Sequence, residues 1–147
     1  VEKLNEWIQY LKEHRKQTKK FLNLTERQEK LVAKDKVDEF MSLFEKKQEI
    51  MKEVDRLKEI IIGYKEEYQD YVEEPYLKEI RTLQKESQEN IETAIEKNKA
   101  LESKLNNKKS NIGEELKKTK MDKQTVDAYL SGKNRSKGEG FFFDKKN

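Results

Sequence analysis

The sequence predicts an all-α protein, an elongated antiparallel bundle of three long helices with a C-terminal tail. Three observations carry this. Charged residues make up 43% of the 147-residue chain and hydrophobic ones only 33%. That balance cannot fill a thick globular core, but it suits thin helices that bury a narrow stripe and solvate the rest. The helix breakers are almost absent before Gly113, with only Gly63 and Pro75. Apolar residues recur three and four apart through residues 1–118, which separates the chain from a disordered one of similar polarity.

The first helix is expected from about Leu4 to Ala33. Trp7, Leu11, His14, Thr18, Phe21, Thr25, Gln28 and Val32 form its seam, widened by Leu4, Ile8, Leu22 and Leu31. The seam is apolar at its ends and polar in its middle. Thr25-Glu26-Arg27-Gln28 has the spacing of a capping box, which would interrupt the helix near Leu24. The continuity of Glu and Lys across that point favours one unbroken helix. A turn is expected at Lys34-Asp35, with Asp35 as cap of the next helix.

The second helix is expected to reach about Val72. Its seam runs Phe40, Leu43, Lys47, Ile50, Val54, Leu57, Ile61, Tyr64, Tyr68 and Tyr71, with Lys47 as the one residue neither apolar nor aromatic. This is the strongest periodic signal in the chain. Gly63 lies within it and costs about 1 kcal/mol relative to Ala. Glu73-Glu74-Pro75 ends this helix and opens the third, since Pro is favoured in a first turn and Glu suits a helix N-terminus. The third helix is expected from about Pro75 to Lys118. Its seam is Leu77, Ile80, Gln84, Ser87, Ile91, Ala94, Asn98, Leu101, Leu105, Lys108, Ile112 and Glu115. Short connections make sequential neighbours antiparallel.

Residues 119–147 read as a tail. Met121 to Leu130 has the pattern of a short amphipathic helix, Ser131 to Gly140 that of a flexible linker, and Phe141-Phe142-Phe143 follows. Three adjacent Phe either fold back onto the bundle or dock on another protein.

Several function classes are disfavoured. From Lys120 onward there are seven Lys/Arg and four Asp/Glu, while the residues before it carry 26 of each sign. A sign-balanced body lacks the basic stripe that nucleic acid requires and is not built for an anionic membrane surface. No apolar run is long enough to span a membrane, and the first residues lack the apolar stretch of a signal peptide; a cytoplasmic protein is expected. Cys is absent and His14 is the lone histidine. No set of residues has the spacing of a catalytic, metal or cofactor site, so no cofactor and no enzymatic activity are expected. Glu49 with Glu53, and Glu66, Glu67, Glu73 and Glu74, read as a solvated face rather than as metal ligands.

What remains is protein binding. Tyr64, Tyr68, Tyr71 and Tyr76 pack the thin end of the bundle or form a rim for a partner. The polar seam positions His14, Thr18, Gln84, Ser87 and Asn98 either specify register or line a groove left open for a partner helix. The imperfect third-helix seam at Ile91, Ala94, Ile95, Asn98, Leu101, Leu105 and Ile112 is the expected groove, with the tail beside it. A structural coiled-coil or adaptor protein, self-associating as a homodimer through the second-helix stripe, is the alternative.

Residues 20–57 also carry a family resemblance. Lys20-Phe21-Leu22-Asn23-Leu24-Thr25-Glu26-Arg27-Gln28-Glu29-Lys30-Leu31-Val32-Ala33-Lys34-Asp35, then Val37, Phe40, Leu43 and Glu45-Lys46-Lys47-Gln48-Glu49-Ile50 through Leu57, resemble the FlgN/FliT group of flagellar type III export chaperones. The matching positions are Glu29, Leu31, Asp35 and Lys47. Asn98 followed by Leu101 resembles the group's third helix. Tyr129 with Gly132, and the closing Phe143-Asp144-Lys145-Lys146, resemble its C-terminal region. The resemblance implies a cytoplasmic chaperone that binds the amphipathic terminal helix of a flagellar axial protein, such as a hook–filament junction protein. It also implies docking at an export-gate component through a C-terminal tyrosine, here Tyr129, with Leu130 and Phe141, Phe142 and Phe143 as further tail contacts.

Overall fold

The computed structural model describes residues 1–107. Three α-helices follow one another: α1 (Glu2–Ala33), α2 (Val37–Tyr68) and α3 (Tyr76–Asn107), with a short 3-10 turn at Gln69–Tyr71. Each α-helix has 32 residues, a length of about 48 Å at 1.5 Å per residue. The all-α expectation holds. The expected extension of α3 to Lys118 and the tail from residue 119, with its short helix over 121–130, lie outside the described residues.

α1 is continuous through Leu24. The Thr25 hydroxyl does not start a new helix; it donates back to the Phe21 carbonyl at 2.9 Å, one turn earlier. The α1–α2 turn differs from expectation in its chemistry. Asp35 adopts the left-handed region, φ 52°. The Asp35 N–H donates to the Val32 carbonyl and the Lys36 N–H to the Leu31 carbonyl. This pair of bonds is a Schellman closure of α1, with Asp in the place usually held by Gly. The N-cap position of α2 falls on Lys36, whose side chain makes no capping bond. At the other junction α3 starts at Tyr76, with Pro75 immediately before it.

α1 is the spine. It packs along both α2 and α3, whereas α2 and α3 meet chiefly through side chains. α2 runs antiparallel to its neighbours, and α1 and α3 are parallel. The polar seam positions of α1 divide the core into layers. An end layer gathers Trp7, Ile8, Leu11, Leu57, Ile61, Val72, Leu77, Ile80 and Leu83. A middle layer holds Phe21, Leu22, Met51, Val54 and Ala94. The far layer, beside the α1–α2 turn, holds Val32, Phe40, Phe44, Leu101 and Leu105. Burial of each large apolar side chain contributes about 1.5–3 kcal/mol. Ion pairs from Lys12 to Glu79 at 3.7 Å, Arg15 to Glu86 at 3.4 Å and Glu29 to Lys97 at 3.2 Å line the α1–α3 flank. These half-exposed pairs contribute under about 1 kcal/mol each, so apolar burial holds the helices together.

Two substitutions test this packing by urea denaturation. Ile80 is fully buried in the end layer, and Ile80→Ala is expected to cost about 3 kcal/mol. A Cβ at Gly63 meets nothing within 4 Å, so Gly63→Ala is expected to stabilise by about 0.5–1 kcal/mol.

Candidate functional site

Of the expected groove residues, Ala94, Ile95, Asn98, Leu101 and Leu105 are buried and Ile91 is half-buried. Ala94 sits in the middle layer and Leu101 and Leu105 in the far layer. This face of α3 is not an open groove in the structure; α1 and α2 fill it. Ile112, Tyr129, Leu130, Phe141, Phe142 and Phe143 lie outside the described residues. The second-helix stripe is also used internally, because Phe40, Leu43, Lys47, Val54, Leu57 and Ile61 are all buried within the one chain.

The tyrosine row divides. Tyr64, Tyr68 and Tyr76 pack against the end layer with Tyr10, and Tyr64 lies 5.7 Å from the Tyr10 ring and 6.2 Å from the Tyr68 ring. The Tyr64 hydroxyl donates to Glu6 at 2.8 Å. Burial, reinforced by this bond, pushes the Tyr64 hydroxyl up to about 12, and the same bond lowers the Glu6 carboxyl. Tyr71 alone of the row is exposed, at 76%.

The polar seam residues form two strata between the apolar layers. The first comprises His14, Thr18, Gln84 and Ser87, all buried. The Thr18 hydroxyl donates to the Arg15 carbonyl at 2.9 Å and accepts from Asn90 at 3.2 Å. Burial, helped by the Lys58 charge, pushes His14 down to about 4, so the imidazole is neutral at pH 7.

The second stratum joins all three helices. Lys47 of α2 is 4% exposed. Its Nζ donates to Gln28 Oε1 of α1 at 2.8 Å and to Asn98 Oδ1 of α3 at 2.7 Å. It also lies 4.8 Å from the centre of the Phe21 ring, within cation–π range. Gln28 Nε2 in turn donates to the Phe40 carbonyl at 3.4 Å. Two amide oxygens and a ring face thus surround the amine, and none of them is ionised. Burial alone lowers the Lys47 amine to about 7. Lys is almost never buried without a charged partner, which makes this stratum the least ordinary feature of the core. Sequence reasoning named Asn98 and placed Lys47 in the α2 seam, but did not pair them. The available signal was the single polar break in an otherwise apolar stripe.

A trough of about 760 Å³ also lies between α1 and α3, lined by charged and amide residues of both signs, among them Lys12, Glu13, Arg15, Lys16, Glu86 and Glu89. Among the described residues no group of His, Cys, Asp and Glu is placed to hold a metal ion, and no helix is long and apolar enough to cross a membrane.

No family model, no curated protein and no solved structure matches this chain. The site therefore has to be read from its own chemistry. That chemistry is a helix-packing seam whose apolar positions are interrupted by buried polar ones, several of them hydrogen-bonded across helices and the Ser87 hydroxyl without a hydrogen-bond partner.

His14 supplies a pH test of this core. Its folded value lies below the ordinary 6.5, so the unfolded chain binds the proton more readily. Stability is then fully present above pH 6.5 and lost as pH falls toward 4. The expected loss between pH 6.5 and 5 is about 1.5 kcal/mol, read by urea titration, and it should vanish in His14→Gln.

Proposed function

We propose that this chain is a holding chaperone of the export type. In this reading it binds the amphipathic terminal helix of a flagellar axial protein of the hook–filament junction kind. It keeps that client unassembled in the cytoplasm and brings it to an export gate. The observation that carries the reading is how α1 and α2 receive α3. They seat the apolar Ala94, Leu101 and Leu105 while offering Lys47 to the polar Asn98. A surface that receives one amphipathic helix in this way has the chemistry to receive another: apolar pockets supply affinity and a buried donor supplies selectivity. The resemblance of residues 20–57, Asn98 and Leu101 to the export chaperones gives the client class. Tyr129 is the residue assigned to gate docking, with Leu130 and Phe141 to Phe143 as tail contacts.

Access to the groove residues Ile91, Ala94, Ile95, Asn98, Leu101 and Leu105 requires α3 to part from α1 and α2 over this stretch. The self-associating adaptor reading is weaker, because the α2 stripe it would use is already buried within the monomer.

Calorimetric titration with peptides from the terminal helices of hook–filament junction proteins tests the proposal. Binding at micromolar Kd or tighter is expected, weakened at least tenfold by Phe44→Ala on the receiving face of α2, with a chain ending at Lys118 losing affinity if the tail contributes. A folded protein that binds none of these helices would remove the chaperone reading.

A further inference from the structure

We propose that Lys47 is a proton-operated fastener. Its amine, held by Gln28, Asn98 and Phe21 between two apolar layers, sets how readily the C-terminal half of α3 separates from α1 and α2. This concerns the fold itself and holds whatever the chain binds.

The two halves of α3 are held unequally. The N-terminal half is built into the end layer through Leu77, Ile80 and Leu83. The C-terminal half contributes Ala94, Leu101 and Leu105 to two smaller layers and is joined by Asn98 to Lys47. Ala94 buries little area of its own. Ile95, Leu101 and Leu105 hold this half by apolar burial, and the polar link to Lys47 adds a contribution that depends on whether the amine is charged. It also includes an ionisable group, and that group senses whether the half is closed or open.

The direction follows from burial. In the closed bundle the charged ammonium has lost its water and gained only neutral partners. Losing one proton removes the cost of the buried charge and leaves two N–H groups, enough for Gln28 and Asn98. When the half opens, water reaches Lys47 and its affinity for the proton returns to the ordinary 10.5. The open form binds the proton more tightly, so falling pH favours opening. The groups facing the amine are Phe21 and Gln28 from α1 and Asn98 from α3, and none carries charge. Glu29 of α1 and Lys97 of α3 pair with each other on the flank of the bundle at 3.2 Å. Burial is the one cause of the lowered affinity, with no charge contributing. His14 titrates in the other polar stratum and changes an opening that wets it by only about twofold between pH 6.5 and 8.5.

Native-state hydrogen exchange on the full chain tests the proposal, at pH 6.5 and 8.5 with each rate corrected for intrinsic chemistry. The amides of Ala94 to Leu105 are expected to exchange through an opening more frequent than the one that exposes Trp7 to Leu11. That opening should be on the order of tenfold more frequent at pH 6.5 than at 8.5. Asn98→Asp places a carboxylate against the amine and keeps it charged across this range, so the pH effect should disappear. Lys47→Met, which cannot titrate, should give the same flat profile and serves if Asn98→Asp does not fold. The proposal is overturned if the Ala94–Leu105 amides open together with the end layer, if their opening is unchanged between the two pH values, or if either variant retains the tenfold change.

Discussion

The structure depends on one constraint: α1 must serve two partners with a seam that is apolar only in patches. Trp7, Ile8 and Leu11 at one end, Phe21 and Leu22 in the middle and Val32 at the other end supply the apolar contacts. His14, Thr18, Thr25 and Gln28 occupy the turns between them and are buried as well. A bundle this thin cannot turn those positions to solvent, because α2 lies on one side of α1 and α3 on the other. Each must be accommodated where it is. Thr25 bonds back to its own helix, His14 stays neutral, and Gln28 recruits Lys47 and, through it, Asn98.

The recruitment has a cost and a consequence. Burying an amine among neutral partners is less favourable than burying a leucine, and replacing such groups by apolar ones is often neutral or stabilising. What the polar stratum contributes is selectivity. A one-turn slip of α3 would bring the apolar Ala94 or Leu101 to Lys47 and leave the donor that now meets Asn98 unmet. Selectivity of this kind suits the helix-holding role proposed above, since generic apolar stripes would otherwise bind in any register. The same stratum is where the bundle is least committed to staying closed.

Much of the fold was legible because it follows from periodicity. The stripe from Phe40 to Ile61 fixed α2 and its buried face, and the scarcity of Gly and Pro fixed three long helices. The α1–α2 turn was located correctly, but its chemistry was not. Asp35 in the left-handed region is a conformational choice that composition does not reveal, and Lys36 at the N-cap has no sequence signature. The site was legible in part. Asn98 was marked as a polar break and Lys47 as the exception in its stripe, yet periodicity gives the face on which a residue lies and not the residue it meets. Gln28, Lys47 and Asn98 are 19 and 51 residues apart, so their meeting depends on the tertiary register. The expected groove residues Ala94, Ile95, Asn98, Leu101 and Leu105 lie on the inward face of α3, and periodicity could not say that this chain fills that face itself. The tyrosines show a similar limit: their spacing predicted a common face, while the 3-10 turn at Gln69–Tyr71 sends Tyr71 outward and leaves Tyr64 and Tyr68 packed.

The amine of Lys47 is buried, without an ionised partner, and shared by three helices. The most direct measurement is an NMR titration of the Lys47 side chain in the folded protein, following its Cε or Nζ resonance. A midpoint near 7 is expected, well separated from lysines that titrate at the ordinary value of about 10.4. A Lys47 that remains charged until pH 10 would contradict it, because the amine would then have water or a carboxylate beside it and the stratum would not be the closed, neutral cage described.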